Sequence, residues 1–318
     1  MKYAFIKRHM VEYPVCVQCS VLGVSRSGYY QWLGRPESRR SREDRSLLVK
    51  IRAVHEENRR LYGSPRIHAA LRDQGVRCGR KRVARLMSEQ GLESQRRRRF
   101  RTTTRAVASR PAAPNLLDRQ WGAVGGSNRV WVGDITYLWT QEGWQYLAVL
   151  LDVYSRRIVG WADGARLHED LCLRALQAAL KQRRPSQGLL HHSDRGGQYT
   201  GSAYQRELAR QGADPSMSKA GDCYDNALAE SFFSTLKAEL AGFGHFATRQ
   251  EAHHALFDYI ERYYNGRRLH SSLGYRSPAE FERLERGGVA PGHEEEQTTL
   301  KSEPEGLGAP VVGPALSP

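Results

Sequence analysis

The sequence holds no run of about 18 apolar residues, so no membrane span is expected. Its N-terminus lacks the apolar core of an export leader. Cysteine is scarce: five in 318 residues, at Cys16, Cys19, Cys78, Cys172 and Cys223. Their spacing does not form a disulfide framework, which suggests a reducing cytoplasm. Cys16 and Cys19 are spaced like half a zinc site, but no second ligand pair lies near them. There is no heptad run to make a coiled coil. Acidic residues are outnumbered, 34 Asp and Glu against 49 Lys and Arg, for a net charge of +15. That imbalance points to a polyanionic partner.

The excess is local. Between Arg35 and Arg110 there are 23 Lys or Arg and 8 Asp or Glu, which accounts for the whole net charge. A solvated basic face is the ordinary reading of such a stretch; concentration this sharp favours a nucleic-acid contact. The length calls for two or three domains, and a 40% hydrophobic content is enough for a real core.

Six segments are expected. Residues 1–34 read as helix, Gly23 turn, then a second helix capped by Ser25, a short helix-turn-helix pattern. Residues 35–92 read as a basic helical DNA-binding domain. Its helix over 44–58 places Leu47, Leu48, Ile51 and Val54 on one face. Pro65 opens the next helix and Gly75 closes it. A basic helix follows at 79–87, where Arg80, Lys81 and Arg82 are candidate DNA contacts. Residues 93–126 form a basic linker, expected to be disordered without DNA, in which Arg96, Arg97, Arg98 and Arg99 are candidate phosphate contacts. Residues 127–240 change character. Strands are expected at 129–138, 144–153 and 157–161, joined as two hairpins. A helix over 168–182, a strand over 189–193, a helix over 202–210 and a helix around Glu230 come next. That order makes an α/β, ribonuclease-H-like layer. Residues 241–286 read as a helical extension, with Thr248 capping a helix over 249–264, a polar basic loop over 265–275, and a last helix capped by Ser277. Residues 287–318 read as a disordered tail.

Three acids stand out. Asp134 sits inside an apolar strand, where a free charge is costly. Asp194 ends another apolar strand, at the edge where sites in α/β layers collect. Glu230 lies on a helix face shared with Asn226, four residues before it, and with Lys237, two turns after it. Each acid alone has an ordinary reading: a strand-end surface acid, a turn residue, a helix acid. Together they suit two divalent ions, since phosphodiester chemistry needs an activated nucleophile and charge neutralised at phosphorus. Mg²⁺ is a hard ion that takes carboxylate oxygens and keeps waters, so two or three acids suffice. Asp152 is a rival ligand. Asp222 and Asp225 read as helix caps, and His191 and His192 as supporting or DNA-facing residues.

The motifs around these acids are specific in combination. Trp131-x-x-Asp134-Ile135-Thr136-Tyr137, His192-Ser193-Asp194-Arg195-Gly196-Gly197-Gln198-Tyr199 and Asp225-Asn226-Ala227-x-x-Glu230 resemble the DDE transposases of bacterial insertion sequences. Positions 195 to 229 make a 35-residue gap between the last two acids, which matches that family, as does the offset of Lys237. Tyr62-Gly63-x-Pro65-Arg66-Ile67 upstream and Tyr263-Tyr264-Asn265-x-x-Arg268-x-His270 downstream match it too. More closely, the chain resembles the second-reading-frame product with a retroviral-integrase core, over roughly residues 20–285. The resemblance implies a ribonuclease-H-like core, two Mg²⁺ or Mn²⁺ ions, and strand cleavage and transfer at the element's ends. It implies Asp134, Asp194 and Glu230 as catalytic metal ligands, with Gln198, Asn226 and Lys237 near the DNA. The expected partners are the terminal inverted repeats, target DNA, at least one further copy of the chain, and a first-reading-frame protein acting with it or fused to it. The implied location is the bacterial cytoplasm, at the nucleoid. The run Met217–Asp222 departs from the family, where a more basic or Asn-bearing stretch is usual.

Overall fold

The computed structural model describes residues 1–94, 113–118, 121–218, 226–240 and 245–287. Arg96–Arg99, Asp222, Cys223, Asp225 and the tail beyond 287 lie outside the described residues, and the expectations for them stay with the sequence.

Three short helices open the chain: α1 (Lys2–Arg8), α2 (Val15–Val21) and α3 (Arg26–Leu33). They close over their own small core of Ile6, Cys19 and Tyr29. The Gly28 amide donates to Ser25 Oγ at 3.0 Å, which supplies the expected cap. α1 is not expected from the sequence; at seven residues it is too short to carry a clear apolar period. Cys16 is exposed while Cys19 is buried, so the pair does not face one ion.

The basic domain is three helices: α4 (Arg39–Glu57), α5 (Ser64–Asp73) and α6 (Arg80–Glu89). α4 starts at Arg39 rather than Asp44, because Ser38 caps it by accepting from the Ser41 amide. Leu47, Ile51, Val54, Ile67, Leu71, Val83 and Leu86 form the core, all apolar stripe positions.

The central layer is a five-stranded mixed sheet in the order β3-β2-β1-β4-β5. β1 (Val130–Thr140), β2 (Gly143–Asp152) and β3 (Ile158–Gly164) are antiparallel neighbours, as the hairpin signals predict. β4 (Leu190–Ser193) joins β1 in parallel, and β5 (Asp214–Met217) joins β4 in parallel. β5 is unexpected: its Asp-Pro-Ser-Met sequence has no strand signal, and neighbouring β4 imposes the pairing. Helices cover both faces. α7 (Glu169–Arg183) and α8 (Ser202–Arg210) bury Trp131, Ala148, Leu150 and Val159. α9 (Ala227–Leu240) and α10 (Arg249–Phe257) bury Leu138, Leu147, Val149 and Leu151. α7 crosses β3 so closely that a Cβ on Gly160 would lie 2.4 Å from the Ala175 carbonyl oxygen. Only glycine fits there.

The helix capped by Thr248 does not stay regular. After α10 it widens into a π-helical stretch, Asp258–Tyr264, which turns Tyr259, Ile260, Tyr263 and Tyr264 all inward. The next segment is not the solvated loop its polarity suggests. Asn265 is buried and its amide bonds both the Ile158 N–H and C=O, at 2.9 and 3.0 Å. Arg268 is buried too, and its guanidinium pairs with Glu239 of α9 at 2.6 Å. α11 (Pro278–Arg286) ends the described chain. Its Glu282 is held by Arg183 at 2.7 Å, Arg157 at 3.0 Å and Ser155 at 2.8 Å. One apolar cluster runs from α4–α6 through the sheet to α9, α10 and the π-helical stretch. Tyr62 fastens the same joint, donating to the Arg267 carbonyl and accepting from the Leu269 amide.

Candidate active site

The parallel pairing of β1 and β4 ends at the register pair Gly133↔Ser193. Asp134 and Asp194 are the next residue on each strand. Equivalent positions on neighbouring strands share a face, and the strands lie about 4.8 Å apart. The two carboxylates therefore start side by side, on the face that carries α9. Local bonds hold both. Asp134 Oδ1 accepts the Ile135 amide at 2.8 Å, and Asp194 Oδ1 accepts the Gly196 amide at 2.9 Å. Gln198 bends back to the same spot: its Oε1 and Asp194 Oδ1 both lie within 3.0 Å of where a Cβ on Gly196 would sit.

Glu230 arrives on the first turn of α9. One turn earlier, buried Asn226 docks that helix onto β1, donating from Nδ2 to the Gly133 carbonyl at 3.4 Å. Its Oδ1 is buried with no hydrogen-bond partner in the structure. Lys237, two turns beyond Glu230, lays its Nζ 4.8 Å from the centre of the Tyr137 ring.

Electrostatics link the acids. Burial pushes the Asp134 carboxyl well above the usual range, and the charges of Asp194 and Glu230 push it further. The Ile135 amide and Lys237 oppose this without cancelling it. Burial also raises Asp194, against the Gly196 amide, and raises Glu230. Burial lowers Lys237, and Asp134 restores part of that loss. Three carboxylates whose ionised forms are all disfavoured make a hard-oxygen donor set suited to Mg²⁺ or Mn²⁺ rather than to zinc. Among the described residues, no three His, Cys, Asp or Glu side chains stand close enough together to chelate a single ion. The fit is thus one of donor chemistry and mutual charge.

The rival residues have other work. Asp152 is fully buried and accepts amides from Asn128, Tyr154 and Ser155, so it ties the β2–β3 turn. His191 Nε2 bonds the Tyr204 hydroxyl at 2.8 Å, and burial pushes its pKa down to about 3, leaving it neutral. His192 sits between the hydroxyls of Ser216 and Ser218. In the basic domain Arg80 and Lys81 are exposed on the first turn of α6. Arg82 instead turns inward to Asp44 at 2.5 Å and braces α6 on α4. Arg195 stands in the sequence only as part of the motif around Asp194, with no role of its own, yet its Nε donates to the Ser218 carbonyl at 2.8 Å. It thereby joins the Asp194 turn to the end of β5; its place directly after Asp194 is the only sequence signal for it.

A mixed sheet of this order, with one acid inside β1 and one just past β4, both directly after the last parallel pair of these strands, defines an integrase-type core. The comparisons agree. A family model described as an integrase core domain matches residues 126–223, and a second with that description matches residues 211–278. A model described as an HTH-like domain matches residues 41–100. The "Insertion element IS600 uncharacterized 31 kDa protein" of Shigella sonnei is 45% identical over 263 residues, 83% of this chain and 96% of that protein. "Transposase InsF for insertion sequence IS3A" of Escherichia coli (strain K12) is 40% identical over 284 residues, 89% of this chain and 98% of that one. Among solved structures, the HTLV-2 integrase catalytic core domain in complex with magnesium aligns at 15% identity and a TM-score of 0.38, covering 49% of this chain and 97% of that one. The chain belongs to the IS3-family transposases. It is an enzyme of DNA transposition and integration. No helix among the described residues is long and apolar enough to cross a membrane.

Proposed function

We propose that Asp134, Asp194 and Glu230 are the catalytic carboxylates of this transposase and that they hold two divalent ions while it cuts and joins DNA at the ends of its element. The observation that carries this is the placement of Asp134 and Asp194 at matching positions on adjacent parallel strands, with Glu230 adding its charge to Asp134. When bound, Mg²⁺ or Mn²⁺ supplies an acidified water or 3′-hydroxyl and neutralises charge on the phosphate. The protein's part is orientation. The Ile135 and Gly196 amides fix one oxygen of each aspartate, leaving the other oxygen to face the reacting groups. Asn226 seats the helix that presents Glu230. Lys237 offers its ammonium to a phosphate beside Asp134, and Gln198 lies close enough to Asp194 to touch the same strand. Arg80, Lys81 and the Arg96–Arg99 run grip backbone phosphates away from the chemistry.

Two DNA ends must be held at once, so the working form is at least a dimer. A first-reading-frame protein, fused or separate, is the expected helper, and the cell's DNA in the cytoplasm is the expected place of work. Glu230→Gln tests the site. With labelled element ends and Mg²⁺, the variant should lose both nicked and joined products while still binding DNA. Cleavage at the wild-type rate sinks the assignment. Wild-type protein that yields nicks but never joined strands would make it a hydrolase of the same fold.

A further inference from the structure

The β1–β2 hairpin projects past the catalytic acids and carries three exposed aromatic rings. Tyr137 is 49% exposed, Trp139 50% and Trp144 44%. They touch one another: Tyr137 meets Trp144 at 4.9 Å and Trp139 meets Trp144 at 4.8 Å between ring centres, both edge to face. Single exposed aromatics are ordinary on a protein surface, but three in contact form a patch that calls for an occupant. Cross-strand aromatic pairs can also simply hold a hairpin together. Here the hairpin is already held. Thr140 bridges to Phe246, the Gln141 amide donates to the Phe246 carbonyl, and the Arg249 guanidinium bonds the carbonyls of Glu142 and Trp144. The rings are spare to the hairpin's order, and they are presented on a rigid frame.

We infer that Tyr137, Trp139 and Trp144 form a stacking platform for unpaired nucleotides of the DNA strand flanking the scissile phosphate. The inference rests on the catalytic assignment above for its direction. Along β1 the rise is about 3.3 Å per residue, so Tyr137 lies about 10 Å and Trp139 about 17 Å along the strand from Asp134, at odd offsets that put both rings on the opposite face of the sheet. β4 pairs β1 only as far as Gly133, and Lys237 of α9 links the two faces there, with its charge coupled to Asp134 and its Nζ over the Tyr137 ring. Stacked as in a duplex, a strand advances about 3.4 Å per nucleotide along its axis, so the first distance takes at most about three nucleotides and fewer where the unpaired strand is stretched. A cation stands at each end of the row. Lys237 lies over the Tyr137 ring, and Arg249 is bonded beside Trp144 through backbone carbonyls. Aromatic rings interleaved with cations suit a single strand, because every base has a face to stack and every linkage a phosphate to neutralise. Glu142 is the nearby acid, and it is occupied by the Arg249 amide.

The test uses the full chain, without divalent cation, and fluorescence anisotropy on two labelled DNAs of the same sequence. One is a blunt duplex and the other carries a short oligo-dT overhang. Wild-type protein should prefer the overhang. The double variant Trp139→Ala, Trp144→Ala should lose that preference by about ten-fold, with blunt-duplex affinity unchanged. Trp139→Phe with Trp144→Phe keeps the rings and should keep most of the preference, which separates stacking from misfolding. An intact overhang preference in the Ala variant overturns the inference. So does an equal loss on both DNAs. If sedimentation shows the Ala variant falling from dimer to monomer while its overhang preference persists, the patch is an interface between copies and the inference fails. An Asp134→Asn protein that still cleaves would remove the catalytic assignment without touching these binding results, so the two failures are distinguishable.

Discussion

Replacing Asp134 with Asn should stabilise the metal-free protein while abolishing strand cleavage. The reasoning is electrostatic. Burial, Asp194 and Glu230 hold the Asp134 carboxyl well above the usual range. A raised value means that the folded chain binds this proton more tightly than the unfolded chain does. The group therefore favours folding at low pH, and its contribution is lost as pH rises through the folded-state value. At neutral pH the ionised acid works against the fold. An undercompensated buried polar group costs about 1–3 kcal/mol. For a folded unit of 150–250 residues each kcal/mol moves Tm by about 2–4 °C. Metal-free Asp134→Asn should therefore melt roughly 2–12 °C above wild type near neutral pH, and the gap should close as pH falls. Divalent cation should reverse the comparison. At a free concentration 100-fold above Kd, a bound ligand adds about 2.7 kcal/mol. Mn²⁺ should thus raise the wild-type Tm by about 5–11 °C and barely move the variant. Thermal melts across pH, with and without Mn²⁺, read both effects. A metal-free variant that melts no higher than wild type, together with equal Mn²⁺ shifts in the two proteins, would refute the reasoning.

Two further outcomes follow from other parts of the molecule. Arg268→Ala strands the half-buried Glu239 carboxylate beside Tyr259 and should cost up to about 3 kcal/mol in urea denaturation; an unchanged midpoint would show that the pair is not a structural clamp. Replacing Arg96–Arg99 with Ala should lower the slope of log binding constant against log salt by about 3–4, close to 0.9 for each phosphate no longer neutralised, and an unaltered slope would remove the run from the DNA interface.

The parts of the fold legible in the sequence are those with strong local signals. The two hairpins, α7, the Ser25, Thr248 and Ser277 caps and the Pro65 helix start all fall where alternation, period and capping place them. Asp134 and Asp194 are legible as strand acids, and the Asn226–Glu230–Lys237 face as a helical one. The illegible parts depend on partners distant in the chain. β5 exists because β4 offers it an edge, and nothing in Asp-Pro-Ser-Met announces it. The stretch at 265–275 looks solvated because it is polar and basic, but Asn265 and Arg268 are buried by partners about 107 and 29 residues away. The inward turn of Arg82 follows from Asp44, which occupies a different helix. The aromatic row is hidden for a related reason: strand periodicity marks Tyr137, Trp139 and Trp144 as good strand residues without saying that the described residues leave about half of each exposed.

The position of Glu230 is set by the C-terminal extension as much as by the core. α9 is gripped near its start by Asn226 on the Gly133 carbonyl. It is gripped near its end by the Glu239 pair with Arg268. Between those points Phe232 packs edge to face on Tyr264, at 4.8 Å between ring centres. Tyr264 and Arg268 both belong to the segment that the π-helical stretch turns inward, and Asn265 pins that segment to β3 at Ile158. α9 therefore cannot tilt without breaking a buried ion pair, a ring contact or a backbone bond to the sheet. Under the proposed catalytic assignment the rigidity matters, because Glu230 is the one of the three acids not carried by the sheet itself. Asp134 and Asp194 inherit their spacing from strand pairing, while Glu230 must have its spacing imposed, and the residues that impose it lie between 226 and 268.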